Sequence, residues 1–234
     1  GISHEACSLA GTLGLGNLVI LYDDNDISID GNVEGWFTED IPKRFESYGW
    51  DVIPNVDGHN FEEIDQAIIK SKSNADKPTL ICCKTVIGKG SPNMSGTATA
   101  HGAILDPDEI NLTRKELNWP NDPFDIPQAV YEDWDARNTG NQKEEDWNKI
   151  LEEYTSENPE LSSELKRLIA GDLPDRIEDT IYSFIEEVQK DLPKMATRVS
   201  SQKVLNILGP LIPELLGGSA DLTGSNNTNW DGTK

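Results

Sequence analysis

Basic residues are scarce in this sequence. Twenty Lys and Arg stand against 42 Asp and Glu, for a formal net charge of −22. Binding nucleic acid through its phosphates needs a basic surface, so nucleic acid is excluded as a partner, and anionic membrane surfaces are disfavoured for the same reason. The charge itself reads as solubility, in keeping with a salt-adapted source. Long apolar runs are also missing. None reaches the roughly 18 consecutive residues of a membrane span, so the chain reads as soluble, with no membrane partner. Cysteine is rare: Cys7, Cys82 and Cys83 form no Cys-x-x-Cys pair. They sit in apolar segments and read as core residues in a reducing cytoplasm, not as a metal site or a catalytic thiol. There is no initiator Met and no signal peptide. The chain opens Gly1-Ile2-Ser3-His4-Glu5 and closes Trp230-Asp231-Gly232-Thr233-Lys234, which reads as an internal fragment of a larger protein.

What is present is an alternation of strand and helix patterns. Ser3 can cap a helix running to about Leu13, with Glu5 in its first turn. Leu18–Tyr22 is a buried strand, followed by a long polar loop to Phe37. A helix is expected over Glu39–Tyr48, begun by Thr38, and then a strand over Trp50–Pro54. Phe61, Ile64, Ala67 and Ile68 set helical spacing over Phe61–Ser71. Pro78–Ile87 is a third strand. This order implies an α/β fold with a parallel sheet flanked by helices on both faces. From about Asp106 the composition turns acidic and helical, with helices near Pro107–Leu117, Pro127–Ala136, Glu144–Tyr154, Glu160–Ala170 and Ile177–Lys190 and a break at Gly171–Pro174. A helix over Arg198–Leu208 and a strand-and-loop unit at Leu215–Leu222 read as the start of a second α/β domain.

Two segments carry chemistry. The strand at Leu18–Tyr22 ends in Asp23-Asp24-Asn25-Asp26. Ligands in open parallel sheets bind beyond the carboxyl ends of the strands, and oxygen-rich side chains there suit a hard cation such as Mg²⁺, which often bridges protein to phosphate. Gly88–Gly102, rich in Gly, Ser, Pro, Asn and Thr, follows the third strand and so lies at the same edge. A loop of that length inside a compact domain is usually functional or disordered, and its place at that edge favours function.

Gly1-Ile2-Ser3-His4-Glu5, Tyr22-Asp23-Asp24-Asn25 with Ile27-Ser28-Ile29-Asp30-Gly31, Lys84-Thr85-Val86-Ile87-Gly88-Lys89-Gly90-Ser91, Ala100-His101-Gly102 and Gly217-Gly218-Ser219-Ala220-Asp221-Leu222 together resemble transketolase, in the family's order and spacing. The resemblance implies residues 1–105 as the later part of a diphosphate-binding domain. It implies residues 106–193 as a helical connector and residues 194–234 as the truncated start of a pyrimidine-binding domain. It implies a cytoplasmic, homodimeric transferase of the pentose phosphate pathway and Calvin-type sugar interconversion. Such an enzyme uses thiamine diphosphate and a divalent cation (Mg²⁺, or Ca²⁺ or Mn²⁺) to move a two-carbon ketol unit from a ketose phosphate to an aldose phosphate.

Residue by residue, Asn25 resembles the metal-ligand asparagine and Ile27 the residue giving a backbone carbonyl. Asp23 and Asp24 read either as supporting acids or as merely solvated. The family's Gly-Asp-Gly metal ligand would precede Gly1. His101 resembles the histidine that reaches both diphosphate and substrate, the one catalytic residue expected here. The family often has a further Thr-His just before it, where this chain has Thr97-Ala98-Thr99. Ile29 and Ile87 resemble aliphatic residues beside the cofactor ring, and Asp221 an acid near its pyrimidine side. Arg198 and Ser225 resemble residues that grip the substrate phosphate in the partner's site, and Glu5 one of an acidic network at the dimer interface. His4 and His59 read as structural, and Trp36, Trp50, Trp119, Trp134 and Trp147 as packing residues. The fragment alone is expected to be inactive. Dihydroxyacetone synthase or another thiamine-dependent ketol transferase is the enzymatic alternative, and a truncated dimerisation module the non-catalytic one.

Overall fold

Three parallel strands form the sheet around which the first half of the computed structural model is built. The structure describes residues 2–102 and 105–233. The strands are β1 (Val19–Asp24), β4 (Asp51–Asp57) and β5 (Thr79–Lys84), in the spatial order β1-β5-β4. The last strand in sequence is therefore central. Its Thr79–Cys83 run is buried throughout, as expected of a parallel strand covered on both faces.

The period-two pleat divides the core into two layers. Leu80 and Cys82 face one way and pack with Ala10 and Trp50, under the helices α1 (Ser3–Thr12) and α2 (Ile41–Ser47). Ile81 and Cys83 face the other way and pack with Val56 and Ala67, under α3 (Phe61–Ser71). The expected arrangement of helices on both faces is thus present. The α1 layer is fixed by the Trp50 indole N–H, which donates to the Cys7 carbonyl at 2.8 Å. Phe45 stands edge-on to the Trp50 ring at 5.2 Å.

Local chemistry explains most boundaries. Asn60 caps α3 by accepting the Glu62 and Glu63 N–H groups, and Asp40 caps α2 by accepting from Lys43 N. Pro54 is tolerated in β4 because that strand is an edge in this sheet and its register breaks between Ile53 and Val56, where Asn55 takes φ +58°. Ser3 is not a cap: it is the first residue of α1, and Ile2 precedes it with no side-chain bond. The loop expected up to Phe37 contains a small antiparallel hairpin, β2 (Ile27–Ser28) with β3 (Gly31–Asn32).

By compactness the chain divides into Gly1–Gln128 and Ala129–Lys234. The first unit keeps α4 (Pro107–Glu116), because that helix is bonded to the loop after β5. α5 (Gln128–Trp134) begins at the division. In the second unit α6 (Arg137–Glu157) turns at Asn158 into α7 (Pro159–Ala170), where Thr155 and the fully buried Ser162 share a hydrogen bond of 2.6 Å. Arg167 closes the end of α7. It pairs with Glu164 at 2.6 Å and Glu214 at 3.0 Å, donates to the Asp172 carbonyl at 2.6 Å, and is held protonated by both acids.

α8 (Ile177–Asp191), α9 (Thr197–Leu208) and a single turn, α10 (Thr223–Asn226), follow. The strand expected at Leu215–Leu222 is absent: among the described residues nothing pairs with that segment, and strand backbone without a ladder partner leaves its polar groups unmet. The tryptophan expectation holds for Trp50 alone. It is 3% exposed, whereas Trp36 is 91% and Trp134 83% exposed, and Trp119 and Trp147 are also open to solvent. No helix among the described residues is long and apolar enough to cross a membrane.

Candidate active site at the carboxyl edge of the sheet

The carboxyl ends of β1 and β5 lie side by side, with Asp23 opposite Cys83 and Asp24 opposite Lys84. Four contacts tie the edge together. Thr85 donates its hydroxyl to Asp23. Lys84 Nζ lies 2.6 Å from Asp24 Oδ2 and 3.6 Å from Asp26 Oδ2, and the hydrogen bond to Asp24 keeps the ammonium protonated beyond its ordinary range. His59 Nε2 accepts the Val86 N–H at 2.8 Å.

Asn25 leaves β1 in a side-chain turn: its Oδ1 accepts the Ile27 N–H at 3.0 Å. Asp26 between them takes φ +58°, the left-handed backbone that Asp and Asn tolerate best among side-chain-bearing residues. The turn opens on a cleft of about 400 Å³ lined by Asp23, Asp24, Asn25, Asp26, Ile27, Glu39, Asp40 and Lys84, among others. Among the described residues its charge is overwhelmingly negative, with Lys84 the one cation in the lining. A phosphate ligand at this edge would meet like charge from these carboxylates. Among the described residues no three His, Cys, Asp or Glu side chains converge as a metal cluster. The hard oxygens of the cleft include the Asn25 amide, the Ile27 backbone and the carboxylates of Asp23, Asp24, Asp26, Glu39 and Asp40.

The Gly88–Gly102 loop starts from β5 and folds back on it. Gly96 N–H donates to the Ile87 carbonyl at 2.8 Å, and a short 3₁₀ turn, Ala98–Ala100, leads to exposed His101, whose N–H returns to the Ala98 carbonyl at 3.0 Å. Asn25 and His101 thus belong to loops springing from neighbouring strands at one edge. His101 is not among the residues lining the acidic cleft.

The pattern of the family described as the thiamine diphosphate binding domain of transketolase matches residues 1–174. The chain belongs to that family. Transketolase 2 of Vibrio vulnificus (strain CMCP6) is 54% identical over 234 residues, all of this chain and 35% of that protein. Transketolase 2 of Escherichia coli (strain K12) is 51% identical over 233 residues, again 35% of its length. Among solved structures, transketolase of Pichia stipitis in complex with sedoheptulose 7-phosphate matches with a TM-score of 0.85 at 40% identity, over 100% of this chain and 34% of that one. The Leishmania mexicana transketolase matches with a TM-score of 0.81 at 33% identity, over 98% of this chain and 33% of that one. The chain spans about a third of the length of the curated relatives it matches.

The other residues expected from the transketolase resemblance are distributed as follows. Ile29, at the tip of the β2–β3 hairpin, is 68% exposed, and Ile87 is half-buried where the loop leaves β5. Glu5 is exposed in the first turn of α1, a placement favoured by the helix dipole. In the second unit Arg198 is exposed in the first turn of α9, Asp221 takes φ +56°, and Ser225 sits in α10. His4 meets the Tyr48 hydroxyl through Nδ1 at 3.1 Å, so with His59 both remaining histidines have structural partners.

The cysteines behave as core residues. Burial, reinforced by Asp24, pushes the Cys82 thiol up to about 11 from an ordinary 9.0, and burial with Asp23 raises Cys83. Neither supplies a thiolate near neutrality. The folded value of Cys82 lies above the unfolded one, so its contribution to stability is intact below pH 9 and is lost as pH rises toward 11. The urea midpoint should therefore fall between pH 9 and 10, below the range where Lys84 adds its own alkaline loss. It should fall less steeply in Cys82→Ala; an equal slope would reject the assignment.

Sequence reasoning missed Glu109. This carboxylate, in the first turn of α4, is 5% exposed, and the Ser91 hydroxyl and then Asn93 hold it below the usual range. The signal was present as Asp106-x-x-Glu109, a capping-box spacing. Asp106 does accept the Glu109 N–H at 2.8 Å, but the Glu109 side chain turns to the loop instead of back to the cap.

Proposed function

We propose that this chain supplies the diphosphate-binding side of a transketolase site, acting within a polypeptide of the relatives' length. Family membership over residues 1–174, with the Asn25 turn and the His101 loop rising from adjacent strands, is the observation that carries the reading. The donor set fits a hard divalent cation such as Mg²⁺, because Asn25 Oδ1 and the Ile27 carbonyl are neutral oxygens held beside an acidic cleft. Thiamine diphosphate, when bound, supplies the nucleophilic carbon and the electron sink for ketol transfer.

The chain's own residues orient and neutralise. Asn25 and Ile27 hold the cation that seats the diphosphate. His101 donates one ring N–H to the diphosphate while its other nitrogen or its ring face meets a donor hydroxyl. Ile29 and Ile87 keep water from the cofactor ring. Serving the partner subunit's site in the homodimer, Asp221 lies toward the pyrimidine side of the cofactor, Arg198 offers a planar fork to the sugar phosphate and Ser225 a neutral donor. Glu5 belongs to a homodimer interface, and the enzyme serves the pentose phosphate pathway in the cytoplasm.

The deciding assay uses a full-length polypeptide carrying this chain, supplied with thiamine diphosphate and Mg²⁺. With xylulose 5-phosphate and ribose 5-phosphate it should yield sedoheptulose 7-phosphate. Turnover with formaldehyde but not with ribose 5-phosphate would move the reading to dihydroxyacetone synthase. The 234-residue chain alone is expected to be inactive, and ketol transfer by it would refute that part.

A further inference from the structure

One buried carboxylate closes the base of the loop that leads to His101. Glu109 Oε1 accepts the Ser91 hydroxyl and, at 3.0 Å, the Asn93 backbone N–H, while Oε2 accepts Asn93 Nδ2 at 2.7 Å. Ser91 is itself buried. The contacts join positions 18 and 16 residues apart, so they tie Ser91 and Asn93, which precede His101, to the first turn of α4 and narrow the positions open to that part of the loop.

From that base the restraint passes along the chain. The Ser91 carbonyl accepts the Ser95 N–H at 3.1 Å, and Gly96 N–H is strapped to the Ile87 carbonyl at 2.8 Å. The Thr97 hydroxyl bonds to the Met94 carbonyl at 2.7 Å immediately before the 3₁₀ turn and His101. A second hold lies beside Gly90, where the Leu117 side chain at the end of α4 fills the space a Cβ would need.

An acid in a helix's first turn is favoured there without being buried, and burying a carboxylate is costly unless it is fully hydrogen-bonded. Among the described residues the acceptor sites of Glu109 are met by neutral loop donors and no cation is paired with it. What its burial secures is the loop.

We propose that Glu109 is a positioning residue that fixes the Ser91–His101 loop so that His101 is presented to the sugar-phosphate donor. The inference rests on the role given to His101 above. It is tested by a double-mutant cycle in the full-length polypeptide, with xylulose 5-phosphate as donor and ribose 5-phosphate as acceptor. Displacing a contact group by about an ångström costs up to ~100-fold, so Glu109→Ala should lower kcat/KM by about tenfold to 100-fold. In a His101→Ala background the same change should cost almost nothing further.

Glu109→Gln should stay within about threefold of wild type, because its amide oxygen can accept from Ser91 and Asn93 N–H while the Asn93 amide rotates to meet the new donor. Ser91→Ala removes one donor, leaves the helix intact, and should show a smaller loss of the same kind; it decides the matter if Glu109→Ala fails to fold. Equal losses in both backgrounds, or wild-type kinetics for Glu109→Ala or Ser91→Ala, overturn the inference alone. Wild-type kinetics for His101→Ala overturn the His101 reading and this inference with it.

Discussion

Asn25→Ala, made in a full-length polypeptide carrying this chain, should weaken thiamine diphosphate binding in Mg²⁺ by at least roughly 100-fold while lowering the melting temperature by no more than about 2–4 °C. Changing a residue that merely supports a metal ligand already costs about 10- to 100-fold in affinity, and the role proposed for Asn25 is that of a ligand itself. The acidic cleft raises the stakes, because with Lys84 engaged by Asp24 and Asp26 the ion is what makes room for a diphosphate. Asn25 also accepts the Ile27 N–H, so the alanine variant loses a turn contact worth about 1 kcal/mol. Asn25→Asp separates the two roles. It keeps the turn and an oxygen donor, so cation binding should survive. Calorimetric titration of thiamine diphosphate at fixed Mg²⁺ reads both variants, and unchanged affinity in Asn25→Ala would remove the amide from the metal site.

The carboxyl edge that carries the candidate site was legible in the sequence because its pattern is written locally. An apolar run that stops in three acids and an amide names both a strand and its carboxyl end, and the strands are parallel as the alternation of elements implied, while their order β1-β5-β4 was not legible in it. α3 was legible to the residue, since Asn60 is a strong cap and the apolar spacing runs to Ser71 without interruption. Elements stabilised from outside their own segment were not. α6 begins at Arg137, well before the expected Glu144, because the polar stretch between carries no apolar period to read. The β2–β3 hairpin has two residues a side, too few for alternation to show.

Glu109 was invisible for a related reason. Its spacing to Asp106 matches a helix cap, and only the folded loop reveals Ser91 and Asn93 as its partners. The exposed Trp36 and Trp134 show the limit of composition. Tryptophan is a strong packing residue on average, but its burial depends on neighbours that composition does not specify.

The same substitution, glycine to alanine, should have opposite signs in the two units. In α1 the helix approaches the end of α2 so closely that a Cβ at Gly11 would fall on the backbone carbonyl of Tyr48, with Trp50 Cδ1 at 3.2 Å. Neither neighbour can yield cheaply. Tyr48 is fixed by bonds from its N–H to Phe45 and from its hydroxyl to His4, and Trp50 is buried and bonded to Cys7. Gly11→Ala must push α1 off the sheet, disturbing the Ala10–Trp50–Leu80–Cys82 layer, at a cost of about 3 kcal/mol or more.

Gly140 lies in the first turn of α6 with nothing within 4 Å of its Cβ position. Alanine there meets no atom and gains helix propensity, so Gly140→Ala should stabilise by about 0.5–1 kcal/mol. Urea unfolding followed by circular dichroism reads both changes. A neutral Gly11→Ala would mean that α1 does not pack against the α2–β4 turn as described, and the lower layer of the core would have to be redrawn.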